Sequence, residues 1–541
     1  MAAQHPSPGS PDRADRSPEP TPAAPPDAGG APAAGAGGRW IAPQVAVTGV
    51  TGYVGGRLVP ELLAAGFRVR ALARKPGRLR DQPWRADVEV AAADVTDLDA
   101  VREALRGVDV AYYLVHSLGT GPEFEARDRL GALTFGRAAR EEGVGRIVYL
   151  GGMYPRGERL SPHLGSRKEV GDILLASGVP TTVLQAAVII GSGSASFEMM
   201  RYLTERLPAM VAPRWIDNRI QPIAIRDVLR YLVGAASMPP EVSRAFDIGG
   251  PEVLTYRDMM QRYAKVAGLP RRVIVSVPVL TPWLSSHWVS LVTPVPAGIA
   301  KPLVGSLIHE VVCGEHDIAA YVPDPPEGLL SFETAVEYAL RRIHEAQVTT
   351  RWTSAAVRGA PSDPLPSDPD WAGGSLYTDD RERTVDATPE QVWSVVSRIG
   401  GEVGWFSWPL AWQVRGVLDR LAGGPGLRRG RRDAARLVLD DAVDFWRVEE
   451  LVPNELLRLR AEMRLPGLAW LELTIRPDGA GRTVLRQRAI FYPHGLAGQA
   501  YWWAVAPFHG AVFGPMLDGM AREAERRAAA EQAEQAEPSR P

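Results

Sequence analysis

Apolar and polar positions change rhythm twice along this chain. From Gln44 onward, short apolar runs alternate with stretches whose apolar residues recur every three or four positions. The runs Val45–Val47, Phe67–Ala73, Val88–Ala92, Val108–Leu114, Arg146–Leu150 and Thr181–Ala187 read as strands. Between them, Val54–Ala65, Asp97–Leu105, Glu123–Glu142 and Ser166–Ala176 read as helices. Strands alternating with helices predict an α/β fold, a Rossmann-type doubly wound parallel sheet with ligand at the carboxyl ends of its strands. Pro60 interrupts the first helical pattern and should kink it or cost a backbone bond. Gly56, four residues earlier, leaves room for the ring.

Beyond Ser192 the pattern loosens. Ile220–Val233 reads as a short strand feeding a helix, Phe246–Ile248 as a strand, and Tyr256–Val266 as a helix. Such late elements finish the sheet and build the substrate side. The apolar stretch Val273–Val312 is broken by Pro278, Pro282, His287, Pro294, Pro296 and Pro302. It lacks the roughly 18 uninterrupted apolar residues of a membrane span and is expected to form packed helices over a cleft.

Pro, Ser and Asp then crowd into GAPSDPLPSDPD, and 349–377 reads as a linker. After it the rhythm is different. Arg381–Val385 reads as a strand, and Thr388-Pro389-Glu390-Gln391 is a capping box opening a helix to Ser397. Period-two runs follow at Phe445–Glu449, Leu457–Met463, Trp470–Ile475 and Val484–Ile490. They predict an antiparallel sheet with one apolar and one wet face. A long helix, Tyr501–Ala533, closes the pattern, so 378–530 is expected to be an α+β helix-grip domain. Trp405, Trp408, Trp412, Trp446, Trp470, Trp502 and Trp503 supply aromatic surface for either a core or an apolar cavity.

Composition limits the function classes. The chain has 541 residues, 45% of them apolar, enough for more than one core. A formal net charge of -2 gives no electrostatic case for nucleic acid or an anionic membrane. Cys313 is the single cysteine, which fits a reducing, cytoplasmic setting and excludes an intrachain disulfide. The nine histidines form no Cys/His cluster and no HExxH, so no metal site is expected. Residues 1–40 and 531–541 read as disordered tails, the first too poor in large apolar groups to fold and without the apolar core of a signal peptide.

The sharpest chemistry lies at VAVTGVTGYVGG, Val45–Gly56. A strand ends in a turn carrying Gly49, Gly52 and Gly55, and a helix begins. Glycine is needed where the backbone turns sharply and where a phosphate comes close. The free amides of the helix's first turn then face a pyrophosphate, with the helix dipole favouring its charge.

This turn, the ADVTD around Asp94, the AYYLVHS around His116 and the late FDIGGPEVLTYRDM resemble atypical short-chain dehydrogenase/reductases, most closely the NmrA-like NAD(P)-binding group, over 41–348. The second unit resembles the START-like SRPBCC ligand-binding fold, on VDATPEQVW and YPHGLAGQAYWWAVAPFH. The first resemblance implies a pyrophosphate held at Gly49, Thr51, Gly52, Tyr53, Val54 and Gly55. It implies adenine contacts at Asp94 and Val95 and a nicotinamide side at Leu114 and His116. The second strand ends Leu72-Ala73-Arg74-Lys75, without the acid that binds ribose hydroxyls in NAD-preferring folds. Arg74 can grip a 2′-phosphate through its fork of donors, which favours NADP over NAD.

The catalytic pattern departs from that family. Its reductases carry a serine past the fifth strand and a Tyr-x-x-x-Lys pair on the next helix. Here the strand ends Leu150-Gly151-Gly152, and His163 and Arg167 stand at the matching spacing, with Tyr154 and Lys168 out of register. His163, with an ordinary pKa near 6.5, is expected to donate a proton, and Arg167 to hold the nicotinamide ribose or a phosphate. The expected function is an NAD(P)H-dependent oxidoreductase acting on a small apolar substrate. A non-catalytic NADP(H) sensor and an apolar-ligand carrier working through the second unit remain as alternatives. The basic run Arg428–Arg432 is expected to be solvated charge.

Overall fold

The apolar run at Gln44–Val47 is a central strand, buried along its whole length, as a parallel strand covered on both faces must be. The computed structural model describes residues 42–116, 122–277, 292–348, 376–401, 404–406, 437–463, 465–479 and 481–536. The expected N-terminal tail, nearly all of the linker, Arg428–Arg432, Trp408 and Trp412 lie outside the described residues.

In chain order the first strands are β1 (Gln44–Val47), β2 (Arg68–Ala73), β3 (Glu89–Ala92), β4 (Val110–Tyr113), β5 (Arg146–Gly152) and β6 (Thr181–Ala186). The short β7 (Ile189–Ile190), β8 (Ala209–Pro213), β9 (Arg219–Ile220) and β10 (Ile223–Ala224) precede β11 (Arg244–Ile248), β12 (Leu254–Thr255) and β13 (Val273–Val277). Seven of these form one parallel, Rossmann-like sheet in the order β11-β6-β5-β4-β1-β2-β3. The order reverses between β1 and β4, and there a crevice opens at the carboxyl ends.

Helices cover both faces. α1 (Tyr53–Ala64) and α6 (Ile225–Ala235) pack Leu58, Leu62, Val228 and Leu232 into one core. α2 (Leu98–Leu105), α3 (Pro122–Glu141) and α4 (Pro162–Leu175) pack Val101, Leu105, Phe135, Val170 and Leu174 into the other. For β1–β6 and α1–α4 the observed ends fall within a residue or two of the expected ones, with one informative exception. α4 starts at Pro162, not Ser166, because Ser161 caps it, accepting from the Leu164 amide at 3.3 Å, and Pro162 occupies its first position.

Pro60 does sit inside α1, and the carbonyl it cannot bond, that of Gly56, accepts the buried indole N–H of Trp84 at 3.1 Å. Beyond β6, α5 (Ala195–Arg206), α7 (Tyr256–Val266) and the helices Ala297–Ser306 and Phe332–Val348 share a third core. The expectation of helices throughout Val273–Val312 is corrected at its start. Val273–Val277 is a strand, paired in parallel with β8, because its β-branched run suits a pleat better than a helical turn.

The C-terminal sheet is antiparallel in the order β14-β19-β18-β17-β16-β15. Its strands are β14 (Tyr377–Val385), β15 (Ala442–Val443), β16 (Trp446–Val452), β17 (Leu456–Ala461), β18 (Gly467–Pro477) and β19 (Thr483–Pro493). The helix Pro389–Val396 opens with the expected capping box, Thr388 bonding Gln391 in both directions. The last helix spans Gly495–Ala536 rather than Tyr501–Ala533. Its first turns are glycine and alanine, which carry no apolar period to read. At its far end the Ala/Glu/Gln run is strongly helix-forming, so the tail expected from 531 is helical through Ala536. Phe513, Met516, Leu517, Met520, Ala521, Ala524 and Ala528 form the stripe that this helix buries in the domain's core. Trp405, Trp446, Trp470 and Trp502 are buried, whereas Trp503 is 67% exposed.

The C-terminal sheet meets α5 through Tyr492. Arg201, wholly buried, lies 3.2 Å from Glu205 and 3.4 Å from Glu198, and donates to the Tyr492 hydroxyl at 3.2 Å. Tyr263 and Tyr492 both donate to Glu205 Oε1, at 2.5 and 3.3 Å. A buried guanidinium is tolerable only when carboxylates and hydroxyls replace its water in this way.

Candidate functional site

The turn after β1 is held by hydrogen bonds, the Gly52 amide donating to the Gly49 carbonyl at 2.8 Å. Thr48 Oγ1 donates to the Tyr112 carbonyl at 3.0 Å and accepts from the Leu114 amide at 2.9 Å, tying the ends of β1 and β4 together. Gly49 has φ +70°, and a Cβ there would stand 2.5 Å from the Leu114 carbonyl oxygen. A Cβ at Gly55 would stand 2.3 Å from the Gly49 carbonyl oxygen. Both positions therefore exclude a side chain. Gly52 caps α1 without a side-chain bond, and no acid lies in the first turn. The positive end of the helix dipole suits a dinucleotide pyrophosphate.

A cavity of about 410 Å³ lies on the β2 side of this turn. Thr51, Arg74, Asp94, Val95, Leu114 and His116 line it, together with Gly49 and Gly52. Arg74 is exposed at the end of β2. Asp94 Oδ1 accepts from the Thr96 amide at 3.1 Å and its hydroxyl at 2.8 Å, and Oδ2 lies 3.3 Å from Arg127. Burial works to raise the Asp94 pKa, yet the Thr96 hydrogen bonds and the charges of Arg127 and Arg74 hold it below the ordinary value.

A second cavity, about 320 Å³, adjoins the first and shares Gly49, Gly52, Leu114 and His116 in its wall. Tyr53, Val54 and Gly55 line it, and so do His163 and Arg167. All the residues expected to touch a cofactor, and both expected to act beside it, thus line these two adjoining cavities. Its far wall is largely apolar: Met153, Val188, Met199, Tyr256, Leu303, Leu307 and Val311.

His163, Ser166 and Arg167 project from one face of α4, at the spacing where helical neighbours meet. His163 Nδ1 lies 3.3 Å from His116 Nε2, with the two rings edge to face. His116 Nδ1 lies 3.2 Å from Asp128 Oδ2, and the Ser166 hydroxyl donates to that same oxygen at 3.2 Å. Burial pushes the His163 pKa down to about 2, and the charges of Arg167 and His116 push the same way. Burial also takes His116 down to about 4, with Arg167 helping and Asp128 opposing. The expectation that His163 titrates near 6.5 is therefore corrected. It is neutral at pH 7, because an imidazolium would be buried beside a guanidinium at the positive end of α4. Arg167 itself donates to the Leu150 carbonyl at 3.3 Å.

Tyr154 and Lys168 are occupied elsewhere. The Tyr154 hydroxyl accepts from Gln185 at 3.1 Å, and Lys168 bonds Asp172 at 2.5 Å. Cys313 is no nucleophile, since burial and the charges of Asp247 and Glu315 push its thiol up to about 12.

Asp128, Ser166 and Arg127 are the site residues that sequence reasoning missed. Asp128 had a usable signal. It shares the buried stripe of α3 with Ala132, Phe135 and Ala139, where an aspartate is out of place without partners.

A family model described as NAD(P)H-binding matches residues 49–189, and one described as a protein of unknown function (DUF2867) matches residues 371–516. An uncharacterised protein of Mycobacterium tuberculosis is 27% identical over 237 residues, which is 44% of this chain and 24% of that protein. The chain thus spans about a quarter of the length of the first curated relatives it matches. In Streptomyces griseus, (4-alkanoyl-5-oxo-2,5-dihydrofuran-3-yl)methyl phosphate reductase is 31% identical over 230 residues, 42% of this chain and 76% of the relative. Among solved structures, Citrobacter triphenylmethane reductase complexed with NADP(H) aligns with a TM-score of 0.43 and 20% identity, over 55% of this chain and 99% of its own. Through its N-terminal region the chain belongs to the family of NAD(P)H-binding, NmrA-like short-chain dehydrogenase/reductases that includes the Streptomyces griseus reductase.

Proposed function

We propose that this chain is an NADP(H)-dependent reductase of a small apolar carbonyl or enoyl compound. The observation that carries the reading is the pair of adjoining cavities that set the glycine turn beside His163 and Arg167 under an apolar wall. Gly49, Gly52 and Gly55 would hold the pyrophosphate, and Arg74 the 2′-phosphate, with Arg127 adding a second cation nearby. When bound, the reduced nicotinamide supplies a hydride. Arg167 offers a permanent cation where a substrate oxygen gains charge, and His163 handles the proton. Loss of NADPH absorbance across a panel of ketones, quinones and enones tests this. Turnover of any member supports it, and tight NADPH binding without turnover across the panel overturns it.

One observation favours a second reading, a sensor of the NADP/NADPH ratio. α5 lines the cleft through Ser196 and Met199 and is bonded to Tyr492 of the C-terminal domain through Arg201. Calorimetric titration with each cofactor form discriminates: a marked oxidised/reduced preference without turnover supports the sensor. We read the C-terminal sheet and long helix, 378–530, as START-like, with an apolar ligand. Native mass spectrometry of the full chain tests that by a co-purified ligand mass.

A further inference from the structure

We propose that Asp128, His116 and His163 form a proton relay in which Asp128 sets the tautomers of both histidines, leaving Nε2 of His163 as a base facing the cleft. The role of the relay in turnover rests on the reductase reading above, whereas its proton positions do not.

The order of donors and acceptors follows from the contacts. A carboxylate only accepts, and Asp128 Oδ2 is already served by the Ser166 hydroxyl. The proton between Asp128 and His116, across 3.2 Å, therefore sits on His116 Nδ1. A neutral imidazole then has a lone pair at Nε2. Across the 3.3 Å gap the proton must come from His163 Nδ1. That leaves a lone pair on His163 Nε2, which has no hydrogen-bond partner among the described residues.

This arrangement stores one proton without making a cation. A proton accepted at His163 Nε2 is matched by transfer of Nδ1–H to His116 Nε2, and of His116 Nδ1–H to Asp128. Both rings stay neutral and the carboxylate becomes a carboxylic acid. Run in reverse, each hop gives one proton outward. An alkoxide formed by hydride addition takes the proton from His163 Nε2, His163 refills from His116, His116 refills from Asp128, and the carboxylate is restored. Solvent supplies the next proton to His163 Nε2 only during turnover, so the resting form keeps Asp128 ionised and both ring protons on Nδ1. The groups facing the histidines explain why an ordinary imidazolium is not used. Arg167 stands beside both rings, each ring crowds the other, and His163 is buried while His116 is half-buried. Asp128 is thus a positioning residue, acting on substrate only through His116 and His163.

The test is two-bond proton–nitrogen NMR of the full-length protein labelled with ¹⁵N-histidine. His116→Gln and His163→Gln assign the two resonances. We expect both histidines to be neutral and protonated on Nδ1 at pH 7, and to remain neutral at pH 5. Asp128→Asn, which can offer an amide N–H instead of a carboxylate, should move both rings toward Nε2–H. Ser166→Ala should leave the tautomers unchanged. The proposal is overturned if wild-type His163 carries its proton on Nε2, if either ring titrates near its ordinary value, or if Asp128→Asn changes His116 and not His163. The wild-type spectrum decides the matter even where the Asp128 variant fails to fold. Correct tautomers with no turnover across the carbonyl panel uphold the relay and sink the reductase reading. Turnover with the wrong tautomers does the opposite.

Discussion

The indole N–H of Trp84 occupies the carbonyl of Gly56, the acceptor that Pro60 strips of its helical partner. A proline inside a helix costs about 3 kcal/mol, partly through that orphaned oxygen. Here a side chain 28 residues away supplies the missing donor. Trp84→Phe should lower unfolding free energy by about 1–3 kcal/mol in urea melts. In a Pro60→Ala background the helix supplies its own N–H, and the penalty should fall by about 1 kcal/mol. Equal penalties in the two backgrounds would show that the indole is only packing.

Cofactor choice turns on Arg74. Arg74→Ala should weaken NADPH binding by about 1.5–3 kcal/mol, roughly tenfold to a hundredfold, and leave NADH nearly unchanged. Calorimetry with the two reduced cofactors measures this directly. A parallel loss for both would mean that Arg74 touches no 2′-phosphate.

Acid stability should carry the mark of the paired histidines. Their folded pKa values, about 4 for His116 and about 2 for His163, lie below the unfolded value near 6.5. Below pH 6.5 the unfolded chain therefore binds more protons than the folded one, and stability falls as pH falls. Each histidine contributes a slope of up to about 1.4 kcal/mol per pH unit between pH 6.5 and 4. His163→Gln should flatten the decline in Tm between pH 7 and pH 5. An identical decline in wild type and variant would refute the burial of a neutral His163.

At the joint on α5, Arg201→Met leaves Glu198 and Glu205 buried without their cation. The expected loss is about 3–5 kcal/mol. Tyr492→Phe removes one hydroxyl and should cost about 1–2 kcal/mol. Denaturant melts of both variants check the ranking. A mild Arg201 variant would mean that water reaches the cluster.

Much of the N-terminal fold could be read from the sequence because a parallel sheet covered on both faces writes itself as uninterrupted apolar runs. The glycine turn was legible for the same kind of reason: Gly49 and Gly55 stand where a Cβ has no room. The start of α4 was misplaced because the cap, Ser161-Pro162, is a local signal that apolar periodicity ignores. The proton relay was half visible. His116 and His163 belong to motifs, but Asp128 joins them across 12 residues on one side and 35 on the other, and only the packing of α3 against α4 makes them neighbours. The Arg201 cluster was illegible, since nothing near α5 in sequence announces Tyr492, 291 residues away.

That joint has a bearing on inheritance. A gene split between the N-terminal and C-terminal parts would leave one product with a naked charged cluster where Tyr492 used to sit, and the other with an orphaned tyrosine. Neither product could drift far in sequence there without the other following. The two halves should therefore be found travelling as one gene, and substitutions at Arg201, Glu205 and Tyr492 should arise together across species.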